Sequence, residues 1–235
     1  MHSPLRFASA VALALGTAGA VQAAPVLHEP TPYLSLGDSP FNAGTFNYFH
    51  TETFENHLLD TPGLSADAGG VTSIVFGPQI HDSVDADDGT IDGSGLGGDS
   101  YFSGNGASGV RFSFSAAVLG ALPTSAGVVW TDGGGGASVT FSAFGATGNL
   151  LFTATRSGFA DGSNNGETAE DRFFGVTDPD GISAIFISNS SGGMEVDHVQ
   201  YGGAAVAAIP EPETYVLLLA GLAVVARVAR KRGKA

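Results

Sequence analysis

Phenylalanine alternates with polar residues in Arg111-Phe112-Ser113-Phe114-Ser115, and the same period of two recurs in Val139-Thr140-Phe141-Ser142-Ala143. Such a period puts one set of side chains on each face of an extended strand, whereas an amphipathic helix repeats near 3.6. Short runs rich in Val, Ile, Phe and Thr lie between clusters of Gly, Ser, Asp and Asn. They predict strands near Val71–Phe76, Val110–Val118, Gly127–Trp130, Ser138–Phe144, Leu150–Thr155, Arg172–Val176, Ile182–Ser188 and Met194–Tyr201. No stretch between Ala24 and Ile209 has a long helical period with caps. The expected fold is all-β, a jelly-roll β-sandwich over residues 49–201, with helices confined to the two chain ends. Residues 24–48, with Pro25, Pro30, Pro32 and Pro40, read as an irregular lead-in, and residues 202–209 as a linker.

The ends follow different rules. Arg6 precedes an uncharged apolar stretch from Phe7 to Val21, and small residues follow in Val21-Gln22-Ala23-Ala24. That order is the one a secretory signal helix requires, so residues 1–23 read as a signal peptide cut by signal peptidase between Ala23 and Ala24. At the other end, the rigid polar Pro210-Glu211-Pro212 precedes an apolar run, Tyr215 to Ala226. Arg227, Arg230, Lys231, Arg232 and Lys234 close the chain. As a helix the apolar run reaches about 18 Å, short of a hydrocarbon core of about 30 Å. The basic end should stay cytoplasmic. A short span held last by its basic end suits a transient inner-membrane anchor that is later processed.

Between the ends the charge is extreme. Six of the nine Lys and Arg residues lie in the two end segments, leaving Arg111, Arg156 and Arg172. Of 23 acids only Glu211 and Glu213 lie there, so residues 24–209 carry 3 − 21 = −18. Nucleic acid is disfavoured as a partner, because neutralising phosphates needs basic groups. Metal cations and neutral glycans suit this surface. There is no cysteine, so the exported domain relies on its core or on bound cations, not disulfides.

Pro210-Glu211-Pro212, the apolar segment and the Arg-rich end (Pro210 to Ala235) closely resemble the PEP-CTERM sorting signal. The resemblance implies a protein exported by a Gram-negative bacterium that makes exopolysaccharide, with a tail removed by an exosortase, a membrane cysteine protease. The destination it implies is the cell surface or extracellular matrix. A looser pattern resembles the galactose-binding-type jelly rolls and small secreted carbohydrate-binding modules. It lies in Thr53-Phe54-Glu55, in Leu122 to Asp132, in Gly181 to Ser188, and in Val196-Asp197-His198-Val199-Gln200-Tyr201. That resemblance implies adjacent first and last strands, with Glu55 and Asp197 helping to hold a structural calcium.

The residues themselves offer a further oxygen-rich segment, Asp82 to Gly93, containing Asp85, Asp87, Asp88 and Asp92. Calcium takes six to eight oxygen ligands, which Asp-rich loops turning at Gly can supply. Asp85-x-Asp87-Asp88-Gly89 is one residue too short for an EF-hand, so the expectation is a non-EF calcium loop or a solvated acidic turn. Asp161 to Glu167, followed by Glu170 and Asp171, is a second such loop, in which Arg172 can pair with Asp171. Gly104-x-Gly106-x-x-Gly109 matches a dinucleotide fingerprint but leads into a strand where the chemistry requires a helix N-terminus. Gly37-Asp38-Ser39 with His198 lacks the α/β scaffold of the lipolytic hydrolases it resembles. Trp130 and Tyr101 are candidates for a sugar-stacking platform, with burial in the core as the competing reading for Trp130. The leading expectation is a non-enzymatic surface or matrix protein that binds polysaccharide. A glycan-active enzyme and a purely structural or adhesive protein are the alternatives.

Overall fold

A computed structural model describes residues 23–73, 82–204 and 222. The signal segment up to Gln22 and the sorting tail, Leu222 apart, lie outside these residues. Among the described residues, twelve strands form two antiparallel sheets that face each other as a β-sandwich. The strands are β1 (Val26–Pro32), β2 (Phe46–Glu52), β3 (Leu64–Ala66), β4 (Gly70–Val71), β5 (Tyr101–Ser103), β6 (Val110–Phe114), β7 (Ser125–Gly133), β8 (Val139–Gly145), β9 (Leu150–Arg156), β10 (Arg172–Thr177), β11 (Ile182–Asn189) and β12 (Met194–Ala204). The larger sheet has the order β1-β10-β7-β12-β5-β4, with β2 also paired to β12; the smaller is β3-β6-β11-β8-β9. Strands β6, β7 and β8, and again β10, β11 and β12, alternate between the two sheets.

The alternation read from the sequence sets the layers. Val110, Phe112 and Phe114 of β6 are buried while Arg111 and Ser113 are half-buried. They meet Phe141, Ile185 and Ile187 of the smaller sheet and Val128, Trp130, Phe174, Val176 and Val196 of the larger in one core. Trp130 is 0% exposed and stands edge-on to Phe159 at 5.4 Å between ring centroids. The intervening residues of the larger sheet face outward but are not bare. Val129 and Phe173 pack with Tyr33, Phe41 and Val84 in a second, smaller cluster. The outer face of this sheet is therefore roofed by the chain following β1 and by the segment that starts at Asp82.

Residues 24–48 are not an irregular lead-in, because β1 and the start of β2 lie within them. Proline lacks a backbone donor and is confined to sheet edges or bulges. β1 meets both conditions: it pairs only with β10, and its register shifts between His28 and Thr31, around Pro30. β12 likewise continues through Gly202 and Gly203 to Ala204, into the expected linker. The strand expected at Val110–Val118 ends at Phe114, and Ser115 leads into a single helical turn, α1 (Ala116–Leu119). The strand expected at Val71–Phe76 begins one residue early at Gly70, and β4 ends at Val71; residues 74–76 fall outside the described residues. β2 pairs with β12 from Glu52↔Val199 to Phe46↔Ala204, whereas the first strand, β1, pairs with β10, so the expected adjacency to the last strand belongs to β2 and not to β1. No helix among the described residues is long and apolar enough to cross a membrane; the expected C-terminal hydrophobic helix falls outside them.

Candidate functional site

Two bulges on one strand pair determine which acids collect on the outer face of the larger sheet. Val196 of β12 lies opposite Trp130 of β7, yet the neighbouring pair is Glu195↔Asp132. The extra residue, Thr131, brings Asp132 level with Glu195. The second irregularity is on β12, where Asp197 pairs with Val129 but Gln200 with Gly127. His198 lies in this bulge at φ 42, a backbone region non-glycine residues seldom occupy. As a result Asp197 and His198 are neighbours in sequence yet both contact the roof, while Val196 and Val199 remain in the core. Bulges re-aim side chains in this way and are enriched next to functional sites.

The roof is tied down through these acids. Asp82 N donates to Glu195 Oε2 at 2.8 Å, and Val84 N to Asp197 Oδ2 at 3.0 Å. The loop closes tightly on itself: a Cβ at Gly95 would sit 1.9 Å from the Ser83 carbonyl oxygen, so only glycine fits. It also joins the second acidic loop, since Gly95 N donates to Gly166 O at 2.8 Å and Thr168 Oγ1 to Asp85 Oδ2 at 3.2 Å.

Beneath this roof the acids form two groups. In the first, Asp87, Asp197 and His198 present ligand atoms within 4.8 Å of one another. A relay of hydrogen bonds occupies it. Ser39 Oγ donates to Gln200 Oε1 (2.5 Å), and Gln200 Nε2 donates to the Tyr33 hydroxyl (2.8 Å). Tyr33 O–H is left to donate to His198 Nδ1 (2.8 Å), and His198 Nε2–H then meets both Asp87 oxygens at 3.0 and 3.1 Å. Burial, reinforced by the Asp87 charge, holds the Asp197 carboxyl well above the usual range.

The second group joins Asp82, Asp132 and Glu170, again within 4.8 Å of one another. Asp171 and Glu195 adjoin it through their electrostatic coupling to Asp82. Here hydrogen bonding is incomplete. Both carboxylate oxygens of Asp82 and both of Asp171 are buried with no hydrogen-bond partner, as are Asp132 Oδ1 and Glu170 Oε1. Asp82 is 1% exposed, Glu170 1% and Asp171 0%. Burial, and then repulsion from neighbouring acids, pushes Asp82 up to about 9, Glu170 to about 8, Glu195 to about 7 and Asp132 to about 6. Arg172 does not neutralise them directly: its guanidinium donates to the carbonyl oxygens of Ala169 and Asp171.

The six expected calcium ligands do not converge. Glu55 accepts from Asp99 N at 2.6 Å and feels the charge of Asp87, but it is not one of the ligand group that contains Asp197; burial raises it to about 7. Asp85 is 1% exposed and accepts from Asp92 N, Gly93 N and Thr168 Oγ1, which makes it a loop brace. Asp88 caps its own turn through Thr90 N and Oγ1, and Asp92 enters through its backbone N–H. Of the set, only Asp87 and Asp197 fall in one group of candidate ligand atoms. The sugar-stacking platform is also overturned, because Trp130 is 0% and Tyr101 6% exposed, both inside the core. Sequence reasoning does not single out Asp132 and Glu195 as companions of Asp82. The signal that points to them is position within a strand: Asp132 follows the apolar run Val128-Val129-Trp130 after one residue, and Glu195 stands between Met194 and Val196.

Fold and site together describe an acid-rich β-sandwich whose outer face is held by carboxylates. The chain's destination comes from its tail: residues 208–232 match the PEP-CTERM protein-sorting motif. No curated protein matches the chain. The motif marks an exported protein that is a substrate for exosortase processing.

Proposed function

We propose that the β-sandwich is a non-catalytic module that binds polysaccharide at the cell surface or in the extracellular matrix, to which the sorting tail delivers it. The observation that carries this reading is where the polar groups lie. The strongly raised carboxyls Asp82, Glu170, Asp171 and Asp197 are each no more than 1% exposed and have no room for a substrate, which favours binding over glycan cleavage. An open cleft of about 450 Å³ presents Thr147, Asn149 and Asp180 beside Leu151. Short amide, hydroxyl and carboxylate groups around an apolar side chain suit sugar hydroxyls and the C–H face of a sugar ring. A glycan array probed with folded protein should show at least one neutral polysaccharide bound, weakened by Asn149→Ala. No binder on the array would remove the polysaccharide reading, and turnover of a bound glycan would favour an enzyme.

A further inference from the structure

The second acid group is assembled from four separated parts of the chain: Asp82 lies in the roof, Asp132 near the end of β7, Glu170 and Asp171 just before β10, and Glu195 near the start of β12. An acidic patch on a surface needs no ion, because water solvates it. This group is different. Asp82 and Asp171 are almost wholly inaccessible, and none of their four carboxylate oxygens has a hydrogen-bond partner. Buried polar groups in folded proteins are nearly always paired, and a buried carboxylate in particular needs a partner or a metal. The adjacent group of Asp87, Asp197 and His198 meets that requirement with hydrogen bonds, so among the described residues the unpartnered buried carboxylate oxygens fall at this location.

We propose that Asp82, Asp132 and Glu170, with Asp171 and Glu195 at their margin, hold a structural calcium ion that clamps the roof and the 161–171 loop onto the larger sheet. The donor set is all oxygen, which suits a hard cation and gives zinc or copper none of their preferred nitrogen or sulfur. The span also fits. Ligand oxygens no more than 4.8 Å apart can surround one ion at calcium–oxygen distances of about 2.4 Å. Magnesium demands a tighter octahedron at about 2.1 Å and keeps several waters, which a site this buried and this rich in carboxylates does not favour. The inference does not depend on whether the module binds a glycan. It turns the acidity of the domain from a surface property into a stabilising device, one that works without cysteine.

The test is calorimetric titration and thermal melting of the purified protein, stripped with chelator and then given calcium or magnesium. The wild-type protein should bind one calcium per chain and melt several degrees higher with calcium, with a much smaller rise from magnesium. In Asp82→Asn/Asp132→Asn the calcium affinity should fall at least tenfold and the melting shift should disappear. With chelator present this variant should melt no lower than the stripped wild type, since it removes two acids from a cluster whose members repel one another when ionised; that separates a lost ligand from a lost fold. Asp88→Asn, in the solvated turn, should keep the full calcium response. Absence of calcium binding to the wild type would overturn the proposal and leave the carboxyls protonated. A response that survives Asp82→Asn/Asp132→Asn, or that Asp88→Asn abolishes, would place the ion elsewhere and overturn it equally.

Discussion

Trp130→Ala should destabilise the sandwich by about 4 kcal/mol, close to the upper end for a large buried aromatic. Trp130 is 0% exposed, its strand neighbours are Arg172 of β10 and Val196 of β12, and its ring meets Phe159. It therefore fills the space where the central strands of the larger sheet face the smaller one, and β-strands cannot readily collapse into a hole of that size. A domain of this kind is stable by only about 5–15 kcal/mol, so the variant should unfold at markedly lower denaturant. The comparison is Trp130→Phe. The indole N–H has no hydrogen-bond partner, so replacing it sacrifices ring volume and no polar contact. That variant should lose roughly half as much or less. Urea unfolding followed by far-ultraviolet circular dichroism reads both, because the chain has one tryptophan and each variant removes it. A loss below about 1 kcal/mol for Trp130→Ala, the range of surface changes, would contradict the packing described.

The second large effect is on the pH dependence of the calcium-free protein. Asp82, Glu170, Glu195 and Asp132 are all raised in the folded state, to about 9, 8, 7 and 6, while in an unfolded chain each titrates near 4. Groups raised in this way bind more protons folded than unfolded between those values. Their contribution to stability is fully present below about pH 4 and is lost progressively as pH rises to about 9, the reverse of the usual salt-bridged carboxylate. A shift of two units in one group is worth about 2.7 kcal/mol, so a few such groups dominate the profile. Melting temperatures in chelator should therefore fall by several degrees between pH 5 and pH 9. Calcium favours the deprotonated carboxylates, so it should flatten or reverse that decline. A melting temperature that rises with pH in chelator would mean that these acids are ionised and compensated in the folded protein.

The strands were legible where alternation was clean and the run long enough. β6, β8 and β11 stand close to where Phe112, Phe141 and Ile185 put them. β1 was hidden by Pro30 and Pro32, which an edge strand with a bulge can absorb and a central one cannot. β2 was hidden because Phe46-Asn47-Tyr48-Phe49-His50 does not alternate: Phe46 and Phe49 pack against the outer-face cluster. β3 and β5 are three residues each, too short for any period to register. The acidic loops were visible as composition, but not which carboxylates converge. That depends on one extra residue at Thr131 and another at His198, and on a roof that brings Asp82 beside Glu170 across 88 positions of sequence. A regular period cannot announce a bulge, and loop folding on this scale is a property of the tertiary structure. The tail could be read directly because its information is linear: a processing enzyme recognises order and polarity, and Pro210-Glu211-Pro212 through Lys234 carries both.

The claim on which the rest depends is that this chain is exported and then cut at its C-terminal tail. Intact-mass analysis of the protein recovered from the surface or medium of its native host measures both events at once. The expected product is a chain that begins at Ala24 and has lost the basic end from Arg227 to Lys234, with the unprocessed tail retained when the exosortase gene is deleted. Recovery of a surface protein that still carries Arg227 to Lys234 in the presence of the exosortase would contradict it.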